Sequence, residues 1–189
     1  MILQNLCLSG GAEGADLQFG MCAGMLGHSV IHWSFSGHRT TAPASEVVVL
    51  NEEQLQAADE LCKRASVSIK RWFPPKSIYV RNLLRRNWYQ VGEAERVYAV
   101  ASIEDGNVSG GTAWATQMFI DRHDGAACEC YVFDMISDGW FQWNGDEWSS
   151  IPSPPIPSGV WAGIGSRNLS PNGKAAIRLL LGYNGKVDS

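Results

Sequence analysis

Apolar positions along this chain follow two alternating rhythms. Short blocks in which nearly every residue is hydrophobic, such as Arg96–Ser102 ("RVYAVAS") and Cys130–Asp134 ("CYVFD"), suit strands buried on both faces of a parallel sheet. Longer stretches with three- and four-residue spacing suit amphipathic helices. Asn5–Ser9 reads as a strand running into Gly10-Gly11. A helix from about Ala12 to Leu26 follows, with Leu17, Met21 and Leu26 as its apolar stripe and Gly27 as its stop. Gly20 and Gly24 weaken that helix and imply close packing on the sheet. Ser29–Trp33 is the next strand, then a loop, then a short strand or extended approach at "EVVVL".

One helix is predicted over "NEEQLQAADELCKRASVSI", with Leu55, Ala58, Leu61, Cys62 and Ala65 on one face. Pro74-Pro75 breaks it, and Ser77 caps the helix that follows. "IEDGNVSGGT" reads as a loop and "AWATQMFIDRH" as a helix. "DGWFQWNGDEW" is an aromatic hairpin turning at Asn144-Gly145, which either covers a sheet edge or stacks on bases. Strands alternating with helices at this rhythm argue for an α/β fold with a doubly wound, mainly parallel sheet.

The end of the chain poses a puzzle. Ser149–Gly159, with four prolines, reads as a semi-extended linker. At about 3.1 Å per residue it reaches roughly 30 Å, enough to cross a globule whose radius of gyration is about 16 Å. Val160–Ile164 is then a strand, and Ser170 with Pro171 starts a helix that Gly182 and Gly185 end. A right-handed β-α-β unit needs a second strand after that helix. The free candidate is at the other terminus, so Gln4–Ser9 is expected beside Val160–Ile164. A truncated second copy starting at Val160 is the rival; it would leave the first copy without an opening strand.

Composition narrows the function classes. A formal net charge of −4 disfavours a broad nucleic-acid surface, while leaving room for a local basic pocket. There is no run of about 18 apolar residues and no secretory signal pattern at the N-terminus, so no membrane partner is expected. Five cysteines at irregular spacing read as reduced thiols, and a cytoplasmic location follows as the expectation. "CEC" at Cys128–Cys130 after His123 lacks zinc-site spacing, and no metal is expected. The chain holds no G-x4-G-K-[ST] loop and no complete G-x-G-x-x-G, since Asn168 stands where the third glycine would be. No cofactor is expected.

Joined across the termini, "AGIGSR", "SGGAEGAD", "RRN" and "GGT" resemble the SLOG superfamily, the Rossmann-like group that includes DprA and the LOG (lysine-decarboxylase-like) proteins. "RNWYQV", "VYAVA" and "GGTAWATQMFID" resemble phage and bacterial members in the expected succession once the chain is rotated. The resemblance implies a single circularly permuted domain over 1–189, with its usual first strand-helix unit at 160–189 and the proline linker closing the circle. It also allows a homodimer.

Three glycine turns after strands can present backbone N–H groups to an anion: Gly163, Gly165, Ser166 and Arg167; Ser9, Gly10 and Gly11; and Gly110, Gly111 and Thr112. Parallel topology sets all three along the carboxyl edge of the sheet. Arg167 pairs with a phosphate or carboxylate, or is a solvated loop residue. Asp16 accepts from a ribose hydroxyl or complements a helix dipole. His38, beside Arg39, closes over a phosphate or makes a local hydrogen bond. The resemblance assigns Arg86, next to Asn87, as helper in N-glycosidic cleavage, and sets Gln117 where LOG enzymes carry a glutamate. Glutamine cannot serve as a carboxylate base. Three functions are therefore open. The first is binding, whether sensing or sequestering, of a nucleotide or nucleotide-derived small molecule. The second is a nucleoside-monophosphate phosphoribohydrolase. The third is a non-catalytic interaction protein using the tryptophan hairpin.

Overall fold

The computed structural model describes residues 5–183. Gln4 and Gly185, assigned above to a strand and a helix end, lie outside them. The chain runs β1 (Leu6–Ser9), α1 (Ala15–Met25), β2 (Ser29–Phe35), β3 (Val47–Leu50), α2 (Glu52–Ala57), α3 (Asp59–Ser68), α4 (Ile78–Val91), β4 (Arg96–Ala101), β5 (Ile103–Glu104), β6 (Asn107–Val108), α5 (Thr112–Arg122), β7 (Cys130–Asp134), β8 (Gly139–Trp143), β9 (Trp148–Ile151), β10 (Val160–Gly165) and α6 (Pro171–Leu180). Eight strands form one sheet in the order β3-β2-β1-β10-β4-β7-β8-β9. The six from β3 to β7 are parallel; β8 and β9 add on antiparallel.

The last strand fills the middle of the sheet. β10 pairs with β1 on one side, Leu6 opposite Val160 and Leu8 opposite Ala162, and with β4 on the other. Asn5 pins the entry, its Oδ1 accepting from the Gly159 N–H at 2.9 Å. The terminal strand-helix unit thus supplies the parallel neighbour on that side of β1.

Alternation along the central strands separates two cores. Tyr98, Val100, Tyr131, Phe133 and Trp161 pack beneath α1 and α6. Val97, Ala99, Ala101, Ala162 and Ile164 pack beneath α4 and α5. Helices on both faces make the fold a doubly wound, Rossmann-like α/β domain.

Several local expectations change. α1 starts at Ala15, and its buried face is Phe19, Gly20, Cys22 and Ala23; Met21 and Leu26 face outward. The reason is close approach: a Cβ on Gly163 would lie 2.6 Å from Phe19, and one on Gly20 2.4 Å from His32, so small residues must face the sheet. Gly24 has no such neighbour, the nearest atom being Val30 at 4.0 Å. The long helix after Asn51 is two helices meeting at Ala58. The turn lets Glu52 and Asp59 reach one guanidinium, that of Arg85, with Asp59 taking two hydrogen bonds at 2.8 Å. The loop after β4 contains the small β5–β6 hairpin. The tryptophan hairpin is part of the main sheet, as strands β8 and β9. Ser149–Ile151 belong to β9, and the proline segment after it is packed: Pro154 and Pro157 are buried, and the Tyr98 hydroxyl donates to the Pro155 carbonyl at 2.9 Å.

Candidate functional site

β1 leads outward to β2 and β3, while β4 leads the other way to β7; β10 lies where the two directions part. Open α/β sheets leave a crevice at such a point, beyond the carboxyl ends of the strands. Here it is a cavity of about 530 Å3. Ala12 and Asp16 line it from the β1 turn, Gly165–Asn168 from the β10 turn, and Ser109–Thr112 from the loop before α5. α4 closes it with Leu84, Arg86, Asn87 and Gln90.

Arg86 and Asp16 form the floor. Both are buried, and their nearest charged atoms are 3.6 Å apart. Asp16 Oδ1 accepts from the Gly165 N–H at 2.8 Å, and Oδ2 accepts from Gln90 Nε2 at 3.1 Å. One carboxylate thereby ties α1, β10 and α4 together. Burial pushes its pKa up, against the downward pull of Arg86 and these donors. Burial pulls Arg86 down, and Asp16 opposes that. Arg86 Nη1 donates to the Gly10 carbonyl, while Nε has no partner. A buried donor left unpaired costs free energy unless a ligand, or water, takes it.

Two features require glycine. A Cβ on Gly10 would fall 2.0 Å from Arg86 Nη1 and 2.4 Å from Asp16 Oδ2. Gly14, at φ 96°, lies against the Arg167 carbonyl, 2.3 Å from where its Cβ would be. The β1 and β10 turns are therefore interlocked, and the Ala15 N–H donates to the Ser166 carbonyl at 3.0 Å. α5 differs. Its N-terminus at Gly111 has no side-chain cap, and Gly110 and Gly111 border open space. Ser109–Thr112 line the crevice, so the positive end of the α5 dipole lies at it, an arrangement suited to an anion.

The residues singled out from the sequence divide accordingly. Gly165, Ser166, Arg167, Asp16, Arg86, Asn87, Gly110, Gly111 and Thr112 come together in the crevice. Gly10 lies against Arg86 beneath it. Ser9 is buried, with its hydroxyl donating to the Asp16 carbonyl at 2.8 Å, and Gly11 is held by Thr40, which donates to its carbonyl. Gly163 lies inside β10 under Phe19 and does not reach the crevice. Gln117 does not reach it either. Positions three apart share a helix face and positions five apart do not, so Thr112 and Ala115 line the crevice. Gln117 lines a separate groove of about 710 Å3 on the far side of α5, and its amide donates to Asp121 at 2.8 Å. His38 and Arg39 line a neighbouring cavity of about 490 Å3 together with Glu13, Tyr79 and Arg167. His38 Nδ1 is 3.0 Å from the Ser34 hydroxyl.

Gln90 escaped the sequence reading. Its signal was present: it follows Arg86 by four residues and so shares its helix face, and Arg85, Arg86, Asn87 and Gln90 make four of the six buried residues of α4 polar. Among the described residues, no group of three His, Cys, Asp or Glu is placed to hold a metal ion, and all five cysteines are buried thiols. No helix among them is long and apolar enough to cross a membrane.

No family model matches the chain, and no curated protein matches it. Among solved structures, it is similar to a protein from Syntrophus aciditrophicus named as a "putative molybdenum carrier protein". The TM-score is 0.54 and the identity 14%, over 96% of this chain and 94% of the other. Likeness at that identity establishes the fold.

Proposed function

We propose that the crevice binds a nucleotide or nucleotide-derived small molecule, with a phosphate at the N-terminus of α5 and the nucleoside against the apolar wall. The observation that carries this reading is Arg86: a buried guanidinium, its Nε without a partner, on a residue that lines the crevice where the β1, β10 and α5 turns converge. The cavity volume falls in the range of small-molecule sites, roughly 300–1,000 Å3. Its lining combines the donors of Asn87, Thr112 and Arg167 with the apolar side chains of Leu83, Leu84 and Ile164, as a molecule with an anionic end and an aromatic end needs.

Binding without turnover is the favoured form. N-glycosidic cleavage calls for an acid at the sugar. The crevice holds one carboxyl, Asp16, which is already committed to Gly165, Gln90 and Arg86. From α5 it receives Ala115 rather than an acid.

Thermal-shift measurement with nucleoside monophosphates, inorganic phosphate and molybdate tests this, molybdate being included because of the neighbour's name. A ligand at 100 times its Kd stabilises by about 2.7 kcal/mol, which raises Tm by roughly 5–10 °C in a domain of this size. Monophosphates should do so, Arg167→Ala should diminish the shift, and Gln117→Ala should leave it intact. No shift with any nucleotide would refute the reading. Release of free base during incubation with AMP would turn it into the hydrolase.

A further inference from the structure

The cavity beside the crevice shares Ala12 and Arg167 with it. Arg167 is thus the partition between two chambers. We infer that they form one two-lobed site, whose ligand is a nucleotide bearing a second anionic group separated from its first phosphate. This rests on the nucleotide reading above and specifies its class.

The second lobe is built for negative charge. Among the described residues, the Arg39 and Arg167 side chains have no hydrogen-bond or ion-pair partner, whereas Arg64, Arg85 and Arg96 each hold a carboxylate. Glu13 is the one carboxylate lining the lobe, set against two guanidiniums. His38 adds no charge near neutrality: burial, then Arg86 and Arg167, hold its pKa down to about 4. It lines the lobe as a neutral ring with Nδ1 engaged by Ser34, leaving Nε2 for a ligand.

The lobe is also rigidly backed. The buried Phe35 ring stacks on His38 at 5.1 Å and meets Tyr79 edge-on at 5.6 Å, so both polar side chains are set by one core residue. A single phosphate at α5 leaves this lobe empty and Arg39 unused. A second anionic group reaching past Arg167 would meet two arginines, a tyrosine hydroxyl and an imidazole.

Calorimetric titration of the full chain with AMP, ADP and adenosine 3′,5′-bisphosphate decides the matter. The bisphosphate should bind about tenfold or more tighter than AMP, as one added charge-assisted contact implies, and should also exceed ADP, whose second charge is adjacent to the first. In Arg39→Gln, an exposed position, the bisphosphate-to-AMP ratio should collapse toward one. In Gln117→Ala it should keep its wild-type value. Binding of AMP with no advantage for the bisphosphate, or an advantage that survives Arg39→Gln, overturns the two-lobed site alone. Failure of every nucleotide to bind overturns the nucleotide reading along with it.

Discussion

Replacing Arg86 with leucine isolates the buried charge at the floor of the crevice. The variant removes a guanidinium that is 4% exposed and leaves Asp16, 5% exposed, with the Gly165 N–H and Gln90 as its remaining donors. Breaking a buried pair by removing one partner costs about 3–5 kcal/mol. The two retained hydrogen bonds place the expected loss near the lower end, about 3 kcal/mol. In a chain of this length that lowers Tm by roughly 6–12 °C. The loss should depend on pH in a definite direction. Asp16 already has a folded pKa above its ordinary 3.8, and Arg86 is the foremost influence holding it down. Without Arg86 it rises further. Between 3.8 and that raised value the folded state binds more protons than the unfolded state, so stability falls as pH rises. The variant should therefore be weakest relative to wild type at pH 8. It should recover part of the difference on acidification through that raised value, at up to about 1.4 kcal/mol per pH unit. Urea denaturation at several pH values measures this. A loss below about 1 kcal/mol at pH 8, or one that grows as the pH is lowered, would refute the account of the floor.

Three further outcomes are expected. Gly10→Ala should destabilise by roughly 1–3 kcal/mol in urea denaturation, because its Cβ would overlap Arg86 and Asp16. His32 is 1% exposed, and burial, followed by Arg86, holds its pKa down to about 4. The unfolded state therefore binds the extra proton between pH 6.5 and 4, and stability should fall as pH drops through that window; His32→Leu should flatten the slope by about one proton. Ser170→Ala should cost about 1 kcal/mol in the same assay, through loss of the cap on Gly173 at the start of α6.

The sheet was legible because its signals are local. Continuous apolar runs marked β4, β7 and β10, and Ser170-Pro171 marked the start of α6. The placement of β10 against β1 followed from a topological rule rather than from any residue near the join. What resisted reading depends on tertiary contact. The outward turn of Met21 goes with how near Phe19 comes to Gly163, and the break at Ala58 with the meeting of Glu52 and Asp59 on Arg85. In the crevice, the glycine turns were legible one at a time. The commitment of Asp16 to both β10 and α4 was not, nor was the rotation that sends Gln117 to the opposite side of α5.

The position of β10 bears on how the molecule forms during synthesis. Among the described residues, every other strand emerges from the ribosome before the one that must lie between β1 and β4. Until Val160–Gly165 arrive, the nascent chain carries two long-lived open margins where the finished protein has its centre, and such margins invite pairing with other chains. Fragments ending before Val160 should accordingly aggregate rather than accumulate as a folded precursor, and the bonds closing the middle of the sheet should be among the last to gain protection from hydrogen exchange during refolding.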